Sequence, residues 1–235
     1  MPYHDYWRSS ASYRVRIALA LADIPWRSVA VDLVDGAHQR PEHRSRNSQG
    51  LVPVLDIDGQ RFTQSLAIVE YLDTTRALGL LPAEPAARAH AQALAASLAV
   101  DVHPVCNLSV VRHATGGEEP ARTKWMQHFI TPGLTAFEAL LARYEHNPYC
   151  TGDTLSIADL CLIPQLYNAE RWGRALHRAS AHRRGRHRVL DAPGVRPRSP
   201  GRGSPLNGHV YVHGGHAGCR RGVPGDEVPL HAMFQ

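Results

Sequence analysis

Residues 49–72 read QGLVPVLDIDGQRFTQSLAIVEYL. Two short strand-like runs flank Asp58-Gly59, a dipeptide suited to a tight hairpin because both positions tolerate positive φ. Gln64 and Ser65 then lead into a stretch with Leu66, Val69 and Leu72 on one helical face. Upstream, SSASYRVRIALALA (9–22) places Val15, Ala18, Leu19 and Ala22 at helical spacing, with arginines at 14 and 16. That pattern predicts an amphipathic helix, and Ser9, Ser10 and Ser12 stand at its start, where hydroxyl side chains cap free N–H groups. Residues 2–7 and WRSVAVDLV (26–34) predict strands. Residues 35–50, with Gly36, Pro41 and Gly50, predict a loop with a helical turn. The order β-α-β-(α)-β-β-α predicts a small α/β domain over residues 1–80.

Downstream, LLPAEPAAR (80–88) carries two prolines between periodic segments and predicts a linker. The pattern then becomes wholly helical. Residues 86–113 are Ala/Leu-rich, with a kink predicted at Pro104. Residues 118–145 carry Trp125, Phe129, Leu134, Phe137, Leu140 and Leu141, and residues 156–172 form a third, more buried helix. The fold class is therefore α/β plus all-α, with an all-α domain over residues 86–173. Ser156-Ile157-Ala158-Asp159 reads as a capping box, stapled by Leu155 and Leu160, and gives Asp159 a structural role. At Arg174 the periodicity stops. Gly and Pro make up roughly a quarter of residues 174–235, which predicts an aberrant, disordered tail.

Charge and composition narrow the function. Residues 1–173 hold 15 Lys+Arg against 18 Asp+Glu, a net of −3, while residues 174–235 hold 11 Arg against 3 Asp+Glu, a net of +8. The basic character belongs to the tail, so the body carries no electrostatic case for nucleic acid. The 15 histidines are scattered with no metal-ligand spacing, and no metal is expected. Four cysteines without close spacing fit a reducing compartment, and the start MPYHDYWRSS lacks an apolar leader core; both predict a cytoplasmic protein. No apolar run reaches the roughly 18 residues of a membrane span.

SSASYRVRIALAL, QGLVPVLDIDG and QSLAIVEYL, together with NLSV (107–110), GDTLSIADLCLIPQ (152–165) and NAERWG (168–173), resemble the zeta-class glutathione transferases, the family of maleylacetoacetate and maleylpyruvate isomerases. The likeness covers residues 3–173. It implies a thioredoxin-like N-terminal domain, an all-helical C-terminal domain, glutathione as cofactor and a homodimer.

The chemistry follows from the motifs. A thiol with pKa near 8.5 needs help to ionise, and a helix N-terminus with a hydroxyl donor supplies it. Ser9-Ser10-Ala11 stands where the family carries Ser-Ser-Cys, and the resemblance gives Ser10 the hydrogen bond to the thiolate; helix capping alone is the other reading. Ala11 departs from the family, yet the nucleophilic sulfur comes with glutathione. The resemblance implies a cis bond at Val52-Pro53, with the Val52 backbone pairing to the cysteinyl part of glutathione; otherwise Pro53 is an ordinary strand-start proline. Gln64 and Ser65, ahead of a helix, take the γ-glutamyl end, or merely cap. His38 and Gln49 are candidates for the glycyl end, against a solvated loop histidine. Asn47-Ser48 replaces the family's Asn-Pro and predicts a slightly looser loop.

A small dicarboxylate substrate needs cations, because arginine's planar fork suits carboxylates. Arg8 and Arg171 are the candidates, against a surface arginine and a helix-end ion pair. His103 and Asn107, a helical turn apart, share a face that can line the cleft. The implied reaction is thiolate addition to a cis double bond, rotation, and loss of the thiolate to give the trans product. A general transferase of electrophiles and an inactive glutathione-binding protein are the alternatives. The tail lacks the family's closing helix and LPAF-like segment. Read one nucleotide later, residues 180–196 permit PRIAAVD…LPAFA, so residues 174–235 read as out-of-frame translation.

Overall fold

The computed structural model describes residues 1–144, 148–173 and the backbone of residues 211–212. Strand β1 (Pro2–Asp5) leads into helix α1 (Ser10–Leu21), which returns the chain to β2 (Arg27–Ala30), paired parallel to β1 with Pro2 opposite Arg27 and Asp5 opposite Ala30. This is one β-α-β crossover. A 3₁₀ turn (Ala37–Gln39) and α2 (Pro41–Arg44) cross to β3 (Val54–Ile57), antiparallel to β1. Asp58 and Gly59, at φ 52° and 72°, turn β3 into β4 (Gln60–Thr63), as their sequence predicts. Helix α3 (Ser65–Arg76) closes the domain. The body of the sheet is mixed, in the order β4-β3-β1-β2, which confirms a thioredoxin-like frame.

Beyond it lie α4 (Pro85–Ala99), a 3₁₀ turn (Pro104–Cys106), α5 (Leu108–Thr115), α6 (Ala121–Leu141) and α7 (Ile157–Arg171). The all-helical reading holds. The predicted helix over 86–113 is two helices, and the 48° bend falls at Asn107, just past the 3₁₀ turn that Pro104 opens, rather than at Pro104 itself. The predicted linker is shorter than 80–88, because Glu84 caps α4 by accepting from the N–H groups of Ala86 and Ala87 at 2.8 and 2.6 Å. β2 ends at Ala30 rather than at residue 34. Its extension is intercepted by the Asp32 carboxylate, which accepts from Val34 N at 2.7 Å and Asp35 N at 3.4 Å in an Asx-type turn. The tail prediction lies outside the described residues, with one exception: Tyr211–Val212 form β5, antiparallel to β2.

Helix α1 corrects the amphipathic expectation. All of Ser10–Leu19 is buried. α1 packs on α3 within its own domain and on α7 of the helical domain, so it has no solvent face. Its two arginines are buried with it. Arg16 is matched by Asp5 at 2.5 Å and by the Trp7 carbonyl at 3.0 Å. Tyr3, Ile17, Leu72, Leu94, Ile130 and Leu160 belong to one buried cluster spanning both domains.

The joint between the domains is fastened by hydrogen bonds. The Asp73 carboxylate accepts from Leu80 N at 2.7 Å and Leu81 N at 3.1 Å, and the Leu80 carbonyl accepts from Ile157 N at 2.9 Å. At the start of α7, Asp159 accepts from Cys150 N at 3.0 Å and from both the N–H and the hydroxyl of Ser156 at 2.9 Å. The capping box is present and Asp159 is structural, as its motif predicts. Burial raises its carboxyl pKa, and these hydrogen bonds pull the other way. Among the described residues no single helix is long and apolar enough to cross a membrane, and no group of three metal-ligating side chains forms.

Candidate functional site

A cleft of about 340 Å³ opens where the starts of α1 and α3 face the α4–α5 bend. That volume falls within the roughly 300–1,000 Å³ typical of small-molecule sites. From α1 it takes Ser9, Ala11 and Arg14; from α3, Gln64 and Ser65; from the loop before β3, Val52 and Pro53. His38, His103 and Asn107 complete the predicted residues in its walls. Ser10, Gln49, Arg8 and Arg171 are not in the lining.

Ser9 is the N-cap of α1. Its hydroxyl oxygen accepts from Ser12 N at 3.2 Å, so its proton is left to point elsewhere. Ser10 is the first helical residue, 8% exposed and one position behind the cleft wall. The leading N–H groups of a helix have no intrahelical partner, so the positive end of α1 faces the cleft. Ala11 brings no thiol. Burial holds Cys106 at a pKa of about 12 and pushes Cys150 and Cys161 above the ordinary thiol value, so none of these three free cysteines is a ready nucleophile.

The Val52-Pro53 bond is cis. Among the described residues, the N–H and carbonyl of Val52 make no hydrogen bond, which leaves one strand edge open to the cleft. The loop before it is pinned by side-chain hydrogen bonds. Asn47 donates to the Leu51 carbonyl at 2.9 Å and accepts from Gln49 N at 3.1 Å, and Arg44 donates to the Ser48 carbonyl at 3.2 Å.

At α3 the cap is Gln64, not Ser65. Gln64 takes φ 67° and makes no side-chain capping bond, while its amide donates to the Gln49 side chain at 2.8 Å at the cleft rim. Left-handed backbone in a residue other than Gly, Asn or Asp is uncommon and costs about 1 kcal/mol or more. The Ser65 hydroxyl oxygen accepts from Arg14 Nη1 at 2.8 Å. Arg14 is 2% exposed, and its Nε and Nη2 have no partner among the described residues. Burial lowers its pKa.

On the other walls, burial drives His103 down to a pKa of about 3, with Arg14 adding to the shift, so His103 is neutral across the physiological range. Asn107 heads α5 without capping it, which frees its amide. His38 is partly buried, its Nδ1 is unpartnered among the described residues, and burial lowers its pKa. Arg8 and Arg171 come together outside the cleft. Arg8 lies 4.3 Å over the Trp7 ring, Arg171 lies 5.7 Å from the Trp172 ring, and neither has a carboxylate within 4 Å among the described residues. Desolvation around its guanidinium and the nearby Arg8 charge both lower the Arg171 pKa. A larger hollow of about 670 Å³ lies beside the β3–β4 hairpin, where Arg61 pairs with Asp56 and Arg76 with Asp58, leaving no free charge among those four.

Arg14 and Asn47 were missed as site residues. Arg14 and Arg16 are the charged residues of 13–21, a pattern that an amphipathic helix shares, so no local signal marks Arg14 as buried.

A thioredoxin-like sheet, a cis-proline beside an open strand edge and two uncovered helix N-termini define the frame of a glutathione transferase. Residues 1–74 match the glutathione S-transferase N-terminal domain family. The maleylacetoacetate isomerase of Rhizobium meliloti (strain 1021) is 58% identical over 173 residues, covering 72% of this chain and 81% of that protein. The holo structure of a maleylpyruvate isomerase, a bacterial zeta-class glutathione S-transferase, superposes with a TM-score of 0.77 at 34% identity, over 83% of this chain and 94% of the other. A maleylacetoacetate isomerase from Methylobacterium extorquens AM1, with malonate and glutathione bound, gives 0.76 at 36% over the same shares. The chain belongs to the maleylacetoacetate isomerase family of zeta-class glutathione transferases.

Proposed function

We propose that this protein is a glutathione-dependent cis–trans isomerase of a maleyl keto acid, acting on maleylacetoacetate or maleylpyruvate. The observation that carries it is the convergence on one cleft of two helix N-termini and the unpaired Val52 backbone. These groups fit glutathione. The open strand edge at Val52 suits its cysteinyl backbone, and the start of α3 at Gln64 and Ser65 suits the γ-glutamyl carboxylate. His38 and Gln49 stand at the end left for the glycyl carboxylate. When bound, glutathione supplies the thiolate that adds to and later leaves the substrate carbon.

The protein's own residues do the rest. The positive end of α1 favours the ionised sulfur. The resemblance gave the hydroxyl contact to Ser10; because Ser9 is the one in the cleft wall, we assign the contact to Ser9 and a backbone N–H to Ser10. Arg8 and Arg171 form a cationic patch beside this wall and favour a dicarboxylate over a neutral electrophile, and malonate accompanies glutathione in the M. extorquens relative. Neutral His103 and the free amide of Asn107 orient the substrate from the α4–α5 side. We further propose a homodimer in a reducing cell compartment, with exposed Leu51, Val100 and Leu108 around the cleft mouth as apolar contact area.

An isomerase assay on both maleyl acids, with and without glutathione, tests the proposal. Turnover that needs glutathione supports it. Turnover of a neutral electrophile such as 1-chloro-2,4-dinitrobenzene, with none of either maleyl acid, replaces it with the general transferase.

We also infer that residues 174–235 are out-of-frame translation. The R. meliloti match covers 72% of this chain, a share that leaves room for the whole tail. The gene sequence decides this. Restoring the frame after Gly173 is expected to raise both isomerase activity and Tm, and equality with the chain as written refutes the inference.

A further inference from the structure

Arg14 sits in the cleft wall with its charge unpaired. It is 2% exposed, has no carboxylate within 4 Å among the described residues, and leaves two of its nitrogens, Nε and Nη2, without partners. A buried cation without a counter-ion is costly, and truncating it to an apolar side chain commonly stabilises a fold. Arg16, two residues on, shows the alternative, since it is neutralised by Asp5. Nothing comparable faces Arg14. Its one hydrogen bond goes to the Ser65 hydroxyl, which turns that group's proton outward, because the oxygen already accepts from Nη1. Ser65 opens α3, whose leading N–H groups carry partial positive charge.

We propose that Arg14 is a positioning residue for a carboxylate at the start of α3: it holds the Ser65 hydroxyl as an outward donor and supplies the buried counter-charge. Resting on the glutathione reading above, the carboxylate is the α-carboxylate of the γ-glutamyl group. The arrangement recognises it with three elements at once: helix N–H groups, a pre-aimed hydroxyl and a guanidinium behind it. The apo protein bears the desolvated charge, and ligand binding relieves it.

Calorimetric titration of the full chain with two probes tests this. One probe is glutathione; the other is γ-aminobutyryl-cysteinyl-glycine, which lacks only that carboxylate. The parent should bind glutathione at least tenfold more tightly, about 1.4 kcal/mol. Arg14→Met should erase most of that ratio, leave analogue affinity within about twofold, and hold or raise the Tm of the apo protein. Ser65→Ala removes the relay hydroxyl while the guanidinium charge stays in place, and should also shrink the ratio. An unchanged ratio in Ser65→Ala overturns the relay even if Arg14→Met fails to fold. Equal losses for both probes in Arg14→Met make Arg14 merely structural. A rise only in KM for the maleyl acid would give Arg14 to the substrate instead. If the parent binds both probes equally, the Arg14 assignment fails while glutathione binding stands. If it binds neither, both fall.

Discussion

Three helices in this molecule begin with a serine at or next to the cap, and the hydroxyls are used in opposite ways. At α7, Ser156 donates its proton inward to Asp159, which also accepts two backbone N–H groups. That helix start is closed. At α1 and α3, Ser9 and Ser65 accept, from Ser12 N and from Arg14, and each keeps a proton to give. Those starts are open, and both lie in the wall of the same cleft. One residue type at one kind of position thus secures the fold where its hydrogen bonds are consumed internally, and makes a binding site where they are not.

The sharpest way to break this contrast is at the closed end. Asp159→Ala strands three donors in a buried setting and should lower stability by about 3 kcal/mol or more. Glutathione affinity of the folded fraction should stay unchanged, as read by denaturant unfolding alongside titration. A loss of affinity without a loss of stability would erase the distinction.

His103 tests the open side through pH. Burial holds its folded-state pKa near 3, below the ordinary value of 6.5, so between these values the unfolded chain binds more protons than the folded one. Stability from this group is therefore complete above about pH 6.5 and falls as pH drops toward 3, by up to about 1.4 kcal/mol per pH unit. His103→Gln should flatten that slope in urea titrations at pH 4–7. An unaltered slope places the titration elsewhere.

Ser9→Ala is expected to cost about 1 kcal/mol of stability as a lost cap. It should also lower kcat about tenfold or more and raise the pH at which the bound thiol ionises. Ser10→Ala and Ser12→Ala should do less on both kinetic measures. Parity among the three returns α1 to ordinary capping. The smallest effect is at Gln64, whose φ of 67° glycine adopts freely. Gln64→Gly should change stability by no more than about 1 kcal/mol, in the favourable direction, because relief of strain opposes added chain entropy. A clear drop in Tm would show that the Gln49 contact outweighs the strain.

The element order was legible because each strand and helix in residues 1–80 carries its own period, and the β3–β4 turn is written in Asp58-Gly59. The capping box at Ser156 was legible for the same reason: all its partners except Cys150 lie within four residues. What escaped depended on partners far along the chain. α1 reads as amphipathic until α7 covers its second face. Arg14 reads as a solvent-facing charge until Ser65 arrives beside it from another helix. The difference between Ser9 and Ser10 is a rotation about the helix axis, which spacing alone leaves open. The cis bond at Val52-Pro53 came from resemblance, since X-Pro pairs are mostly trans.

The Asp73 clamp on Leu80 and Leu81 has a practical corollary for dissecting the molecule. With Leu80 engaged through both its N–H and its carbonyl, the crossing between the two domains behaves as a welded seam rather than a hinge. A protease site or a split for fragment complementation belongs just past the weld, at exposed Ala83 and Glu84. Cut there, the first fragment keeps Asp73 together with both amides it holds. The two pieces then meet through the Leu80–Ile157 bond and the packing of α1 on α7, so their reassociation can serve as a direct gauge of how firmly the cleft is built.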